Sequence, residues 1–168
     1  MNEIIINNIS ETKMIFHTLS KSRVVDIFNY RCKSVYVLNE EDLLVENGKL
    51  VLSIDLKSWD KCYPEIDFYN VFESLDKIVP SEYKEKMKNN NLETKYNFLN
   101  VLESLKRITN PKGGTPITCI KATLIGYDNI LNKSFTFESK FVNGKHAIVG
   151  LYEDGRKVIY KDSKLYEL

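Results

Sequence analysis

Short turn signals, each flanked by strand-like apolar runs, constrain this chain more than any other feature. Asn47-Gly48 separates two such runs, and this dipeptide is the strongest short-range indication of a β-hairpin. Four further breaks follow in the last third of the chain, at Tyr127–Asn129, Asn143-Gly144, Asp154-Gly155 and Asp162-Ser163. Their spacing is typical of an antiparallel meander. We therefore expect a hairpin in the first third of the chain and a sheet at its end.

The later hairpins have a predicted register. A two-residue turn at Asn143-Gly144 places the aromatic side chains of its two strands on one face of the sheet. A three-residue loop around Gly155, with that glycine in the left-handed conformation, places the apolar side chains of the next strand on this same face. The predicted neighbours there are Phe141 with His146, Ser139 with Ile148 and Phe135 with Tyr152, joined by Val158 and Tyr160.

Helical periodicity marks the first two thirds of the chain. Apolar residues recur at intervals of three and four over Ser10–Arg31, Pro64–Pro80 and Leu92–Thr109. We expect helices over these segments, with a potential break in the first at Ser20–Ser22. A short strand is expected before them, over Glu3–Ile9.

The order of these elements predicts an α+β fold, with an N-terminal helix and β-hairpin, a helical middle and a C-terminal antiparallel β-meander. A chain of 168 residues suits a single domain spanning 1–168. The glycines and prolines of Asn110–Pro116 make the clearest interruption, so a subdomain boundary at 110–116 stays open. The 58 residues after Asn110 have a size at which independent folding is marginal, which favours one domain.

Charge, cysteine content and hydropathy argue against several classes of function. The chain has 24 basic and 23 acidic residues, so its net charge of +1 does not favour binding to nucleic acid. Three widely spaced cysteines predict neither a disulfide framework nor a closed zinc site. No apolar stretch approaches the roughly 20 residues that span a bilayer, and the N-terminus does not resemble a secretory signal. We expect a cytoplasmic protein with no membrane partner.

The polar face of the first hairpin carries the most specific arrangement of charges. A two-residue turn at Asn47-Gly48 places Asp42 opposite Ser53. Asp42, Asp55 and Lys57 then share one face, with Cβ atoms about 5 to 8 Å apart. Carboxylates at this separation can share a divalent cation. The same charges also suit the solvated face of an amphipathic hairpin, and both interpretations stay open.

Asp42, a short hairpin and a hydrophobic strand ending Ile54-Asp55-Leu56-Lys57 resemble the bipartite signature of PD-(D/E)xK nucleases. The resemblance covers the 16 residues from Asp42 to Lys57, without the proline before Asp42 and with Asp where Glu is commoner. It implies that Asp42 and Asp55 bind magnesium and that Lys57 positions or activates the attacking water. Magnesium is expected as a cofactor only under this alternative; otherwise no cofactor is expected.

The two histidines, His17 and His146, have no catalytic motif around them. His146 falls on the predicted aromatic face beside Phe141, where we expect a packed imidazole. A nucleophilic pair of Cys119 with His146 has no supporting sequence context. The glycines of Pro111–Thr115 follow a predicted helix, so they lack the helix N-terminus that a phosphate-binding loop needs.

Aromatic residues favour a binding function. The chain has ten tyrosines and one tryptophan, and both types serve as anchors in protein interfaces. Trp59, Tyr63 and Tyr69 are the candidate interface residues. We expect a protein that binds a macromolecular partner, most simply another protein, rather than an enzyme.

The basic residues, 20 lysines against 4 arginines, indicate an AT-rich genome. A regulator, inhibitor or immunity-type protein of a bacterium or phage fits this description. Besides the nuclease, a small-molecule-binding domain with a pocket between meander and helices stays open.

Overall fold

The computed structural model describes residues 2–4, 8–32, 38–56, 92–111 and 119–168. Within these ranges the chain forms eight strands, two α-helices and one 3-10 turn. In chain order they are β1 (Ile9–Phe16), α1 (Lys21–Cys32), the 3-10 turn Glu40–Asp42, β2 (Leu44–Glu46), β3 (Lys49–Ile54), α2 (Leu92–Thr109), β4 (Ala122–Asp128), β5 (Lys133–Val142), β6 (Lys145–Tyr152), β7 (Lys157–Lys161) and β8 (Lys164–Glu167).

The eight strands form one antiparallel sheet in the order β2-β3-β1-β4-β5-β6-β7-β8. The last five strands are neighbours in both chain and sheet, so the predicted C-terminal meander is confirmed. Strand β1 pairs with β3 on one side and β4 on the other, which joins the first hairpin to the meander. The α+β class is confirmed. Neither described helix has the length and apolar character needed to cross a bilayer.

Helix α2 packs on one face of the sheet, which we call the inner face, and α1 packs against α2. The Phe98 ring of α2 meets the rings of Phe135 and Phe137 edge-on, with centroids 5.6 and 5.8 Å apart. Burial of such apolar side chains is the main driving force for folding. The buried side chains of the inner face include Met14, Phe16, Leu50, Leu52, Leu124, Phe135, Phe137, Ile148, Tyr152, Val158, Tyr160 and Leu165.

Two glycines of the inner face make room for phenylalanine rings on the adjacent strand. Gly126 lies opposite Phe135, and Gly150 lies opposite Phe137. A Cβ atom added at either glycine would be 2.5 Å from the facing ring, closer than side-chain atoms pack. The large aromatic residues of β5 therefore depend on glycine in β4 and β6.

The predicted register of the meander is confirmed. The loop Glu153–Gly155 has three residues and is closed by a 2.9 Å hydrogen bond from the Tyr152 amide to the Arg156 carbonyl. Gly155 has a φ of 91°, a conformation in which glycine avoids the steric cost of a Cβ atom. The observed pairs are Phe141 with His146, Ser139 with Ile148, Phe135 with Tyr152, Gly150 with Val158, and Ile148 with Tyr160.

The N-terminal segment corrects one prediction. The helix expected over Ser10–Arg31 begins only at Lys21, close to the predicted break, and the residues before it form strand β1. Met14, Ile15 and Phe16 are consecutive apolar residues, which fit either a helical or a strand period. Pairing on both sides of β1 decides in favour of the strand, because tertiary context overrides local propensity.

The two helices begin and end as their sequences suggest. The Ser20 hydroxyl accepts a 3.3 Å hydrogen bond from the Arg23 amide, which caps the start of α1. Helix α2 matches the predicted segment Leu92–Thr109. The helix predicted over Pro64–Pro80 lies outside the described residues.

The first hairpin is shorter than predicted. Its turn has positive φ at both Asn47 and Gly48, as in a type I′ turn, and its register is the predicted one. However, β2 begins only at Leu44. Asp42 lies in the preceding 3-10 turn, where its Oδ2 accepts a 3.0 Å hydrogen bond from the Asn39 amide. The predicted pairing of Asp42 with Ser53 is therefore wrong. Asp42 belongs to the capping turn, and strand β2 begins only after that turn.

Candidate functional site

The register of the sheet brings basic side chains into one line across the outer face, the face opposite the inner one. Lys140 lies opposite Ala147, and Lys161 lies opposite Lys164. Further along the same line, the His17 amide donates to the Lys121 carbonyl over 2.9 Å. Side chains two residues apart on a strand share a face. The registers of the remaining strand pairs therefore show which residues continue the line. Its exposed members, which we call the basic row, are Lys49, His17, Lys121, Lys140, Lys161 and Lys164.

The basic row is an extended feature. It runs from β3 to β8, that is, across seven of the eight strands. At about 4.8 Å between neighbouring strands, its length is about 29 Å. A charged line of this length suits an extended or broad partner better than a single small ion.

Ion pairing of the basic row is limited in the part of the chain that the structure describes. Glu46 lies opposite Lys49, but its carboxylate is 3.2 Å from the Lys13 ammonium. Among the described residues, Lys140 is its one member with an ion pair, 3.3 Å from Oε1 of Glu138. Burial lowers the pKa of His17, and the charges of Lys49 and Lys121 lower it further, while Glu138 acts in the opposite direction. His17 is therefore neutral at pH 7. The adjacent positive charges are therefore two pairs, Lys121 with Lys140 and Lys161 with Lys164, and Ala147 of β6 lies between the pairs.

Replacing Lys161 with glutamate is expected to stabilise the protein by about 0.2–1 kcal/mol, because it turns a like-charge cross-strand pair with Lys164 into an opposite-charge pair. Urea unfolding would measure the change. The matched control is Lys157→Glu on the same strand and face, opposite the apolar Leu151, where no gain is expected. An equal gain in stability in both variants would show that the Lys161–Lys164 contact does not destabilise the protein.

Apolar residues lie beside the basic row on the same face. Val51, Val149 and Ile159 are buried there, although their strands also bury apolar residues on the inner face. An antiparallel sheet with a solvated outer face usually alternates apolar and polar residues instead. Two aliphatic side chains of this face remain exposed, Leu44 by 57% and Leu151 by 48%. The outer face thus combines a line of cations with exposed aliphatic surface.

A pocket of about 770 Å³ opens where the sheet meets the start of α1 and the end of α2. Arg23 comes from the first turn of α1, and its Nη2 donates to the Cys119 carbonyl over 3.2 Å. Lys121 precedes β4, and Phe141, 64% exposed, lies near the end of β5. Further polar side chains of the lining are Thr18, Thr109, Glu138 and Ser139.

A hydroxyl and imidazole cluster stands at the wall of this pocket. Nε2 of His146 lies 2.7 Å from the Ser139 hydroxyl and 3.2 Å from the Thr109 hydroxyl. The Thr109 hydroxyl also donates to the Leu105 carbonyl over 2.7 Å. Nε2 of His146 therefore lies between two hydroxyls, of which Ser139 is the nearer.

The surroundings of the imidazole limit what the cluster can do. Ser139 and His146 are in hydrogen-bond contact, but the described residues supply no third group that hydrogen-bonds Nδ1 and orients the imidazole, as an activated nucleophile normally has. Burial lowers the pKa of His146, and Lys106 lowers it further, so the imidazole is neutral at pH 7. Its Nδ1 is buried without a hydrogen-bond partner in the part of the chain that the structure describes. His146 therefore serves to position the two hydroxyls.

The predicted metal-site residues are only partly described. Asp42 lies in the capping turn, and Asp55 follows β3 as an exposed residue. The predicted catalytic Lys57 lies outside the described residues. Over the ranges that are described, no group of three or more His, Cys, Asp or Glu is arranged to hold a metal ion. The nuclease interpretation stays a prediction.

The predicted interface anchors Trp59, Tyr63 and Tyr69 also lie outside the described residues. The sequence did not indicate the basic row, because its members are up to 72 residues from the next member along the chain and meet only through the strand order. The sequence left open a pocket between the meander and the helices but did not indicate its lining residues, because they come from two helices and three strand ends.

Comparisons with protein-family models, with curated protein sequences and with solved structures gave no match. The fold and the two surfaces define an α+β protein with one eight-stranded antiparallel sheet, helices on its inner face and a basic row on its outer face. Its function is argued from these surfaces.

Proposed function

We propose that this protein acts by binding an acidic protein partner through the outer face of its sheet. The observation that supports this proposal is the basic row, in which exposed lysines lie in line and Lys161 directly faces Lys164. Such an arrangement destabilises the free sheet. Carboxylates of a partner would relieve the repulsion and speed association by electrostatic attraction.

The neighbouring side chains favour a protein over a nucleic acid. Proteins that bind single-stranded nucleic acid place aromatic rings beside their cations, because the bases stack on them. Tyr127 and Tyr166 are the tyrosines on the described outer face, and both are partly buried. The exposed apolar side chains of the outer face are the aliphatic Leu44 and Leu151, whereas the exposed Phe141 belongs to the inner face of β5. Aliphatic surface beside cations suits an acidic protein with apolar side chains of its own.

Under this proposal the chain is a regulator, inhibitor or immunity-type protein that works in the cytoplasm of a bacterial or phage-infected cell. A partner of this kind would need an acidic surface about 29 Å long to cover the basic row. An interface of this length is compatible with the usual size of specific protein complexes.

Cross-linking in lysate of the source organism tests the proposal. A carbodiimide joins lysine amines to carboxylates that they touch, without a spacer. We expect the links to concentrate on Lys140, Lys161 and Lys164 and to end on Asp or Glu of one protein. Links spread evenly over all exposed lysines would contradict the proposal.

Removing charge from the basic row is expected to weaken this association about tenfold. The variant Lys140→Gln/Lys161→Gln/Lys164→Gln loses three exposed charges, each worth roughly 0.2–1 kcal/mol in a surface ion pair. The control Lys21→Gln/Lys106→Gln/Lys133→Gln lowers net charge equally, from sites outside the row. Affinity for the cross-linked partner would be measured at several salt concentrations, with a larger salt dependence expected for the unaltered protein.

A single-stranded oligonucleotide provides the opposing test. If it binds the protein more tightly than the acidic partner does, and the triple variant in the basic row abolishes that binding, the outer face is a nucleic-acid surface and the proposal is wrong. Equal loss of partner affinity in the control variant would contradict it as well, because net charge alone would then account for the effect.

A further inference from the structure

We infer that the pocket beside the start of α1 binds a small molecule that carries both a phosphate group and a planar aromatic ring, as a nucleotide does. The inference goes beyond the proposed protein binding. It concerns residues between the two helices and the sheet ends, of which Lys121 and His17 also belong to the basic row.

The cationic side of the pocket suits a phosphate. The guanidinium of Arg23 is held at the wall by its 3.2 Å hydrogen bond to the Cys119 carbonyl. A guanidinium has five N–H donors, and its planar shape matches phosphate oxygens. Lys121, which precedes β4, adds a second charge. Glu138 is the one carboxylate of the described lining and forms an ion pair with Lys140, so the lining holds two cations against one carboxylate.

The aromatic side of the pocket suits a planar ring. Phe141 lines the pocket and is 64% exposed, so one face of its ring is accessible to a ligand. Its ring is supported by His146, with centroids 5.9 Å apart and planes at 71°. Stacking of a base on an aromatic side chain contributes about 1–3 kcal/mol. The ring of a ligand would therefore gain free energy by covering Phe141.

Hydroxyl groups connect these two sides. The Ser139 hydroxyl lines the pocket 2.7 Å from Nε2 of His146, and a hydroxyl can donate to or accept from a ligand group. The Thr109 proton is already donated to the Leu105 carbonyl. The volume of about 770 Å³ falls within the usual range of small-molecule sites.

Calorimetry with three probes tests the inference: adenosine monophosphate, inorganic phosphate and adenosine. We expect adenosine monophosphate to bind more tightly than either of the other two. Arg23→Gln should weaken adenosine monophosphate binding by about ten- to a hundredfold, since a charged hydrogen bond contributes roughly 1.5–3 kcal/mol. Phe141→Ala should weaken adenosine monophosphate binding about tenfold and leave phosphate binding unchanged.

Nuclear magnetic resonance gives an independent readout, because the chain has two histidines and hence two imidazole signals. A bound phosphate would offset the charges of Lys49 and Lys121 that lower the pKa of His17. Adenosine monophosphate should therefore raise the pKa of His17. If Arg23→Gln disturbs folding, Lys121→Gln at an exposed position tests the same contribution of positive charge to adenosine monophosphate binding. Arg156→Gln removes a positive charge outside the pocket and is the control.

Absence of adenosine monophosphate binding at millimolar concentration would overturn the inference. The inference would also be overturned if inorganic phosphate or adenosine bound as tightly as adenosine monophosphate. In that case either the aromatic side or the cationic side of the pocket would contribute nothing to binding. The outcome is separable from the proposed protein binding: Arg23 and Phe141 are not in the basic row, and Lys161 and Lys164 do not line the pocket.

Discussion

Replacing Phe137 with alanine is expected to lower the free energy of unfolding by about 3–5 kcal/mol. The side chain is fully buried at the centre of the inner face, edge-on to the rings of Phe98 and Phe135. It also covers Gly150 on the adjacent strand, so alanine would leave a cavity that no other side chain can fill without backbone movement. Urea unfolding followed by circular dichroism would measure the loss.

Phe141→Ala is the matched control for Phe137→Ala. Phe141 lies on the same strand and the same face, but 64% of it is exposed. Its removal is expected to cost about 0.5 kcal/mol or less, as for other surface substitutions. Similar losses in both variants would contradict the assignment of Phe137 to the core between α2 and the sheet.

Replacing Glu103 with alanine is expected to cost about 3 kcal/mol of stability. Glu103 is 4% exposed, and its Oε2 accepts the proton of the Tyr160 hydroxyl over 2.7 Å. Its Oε1 lies 3.6 Å from Nε of Arg107 on the next turn of α2. The substitution removes the acceptor of a buried hydroxyl and the counter-ion of an arginine. The loss at the buried Tyr160 hydroxyl carries a desolvation cost that water does not repay, while Arg107, with 25% of its side chain exposed, loses less.

Glu167→Ala supplies the comparison for Glu103→Ala. Glu167 also pairs with an arginine, at 3.1 Å from Nε of Arg156, but its side chain is 45% exposed. Exposed ion pairs contribute roughly 0–1 kcal/mol, so a small effect is expected in thermal or urea unfolding. A loss at Glu167 as large as that at Glu103 would mean that burial does not set the strength of these pairs.

The basic row links stability to the proposed function. The free chain keeps Lys161 opposite Lys164, an arrangement that costs stability, and the expected gain from Lys161→Glu measures that cost. A variant that is more stable and binds its partner more weakly would show that the charges serve contact rather than folding.

Much of the meander could be predicted from the sequence. Asn143-Gly144 and Gly155 select particular loop lengths, and loop length determines register because side chains alternate between faces. The pairs of Phe135 with Tyr152 and Ile148 with Tyr160 follow from these turns alone. Helix α2 could be predicted for a similar reason, since its apolar period is long and uninterrupted.

Other features could not be predicted because they depend on strand order or on distant contacts. Met14–Phe16 fits a helix as well as a strand until β3 and β4 pair with it. Asp42 fits a strand as well as a turn until the Asn39 amide donates to its carboxylate. The prediction of a metal site assumed that a continuous strand passes through Asp42. That assumption is wrong, because Asp42 lies in the capping turn.

By itself the sequence determined the local elements: the tight turns, the alternation of the later strands and the periodicity of α2, because these depend on neighbouring residues and their allowed dihedral angles. Only the tertiary structure decided where charge is concentrated. A net charge of +1 becomes a line of lysines on one face because the order β3-β1-β4-β5-β6-β7-β8 brings residues from distant parts of the chain within one strand spacing of each other.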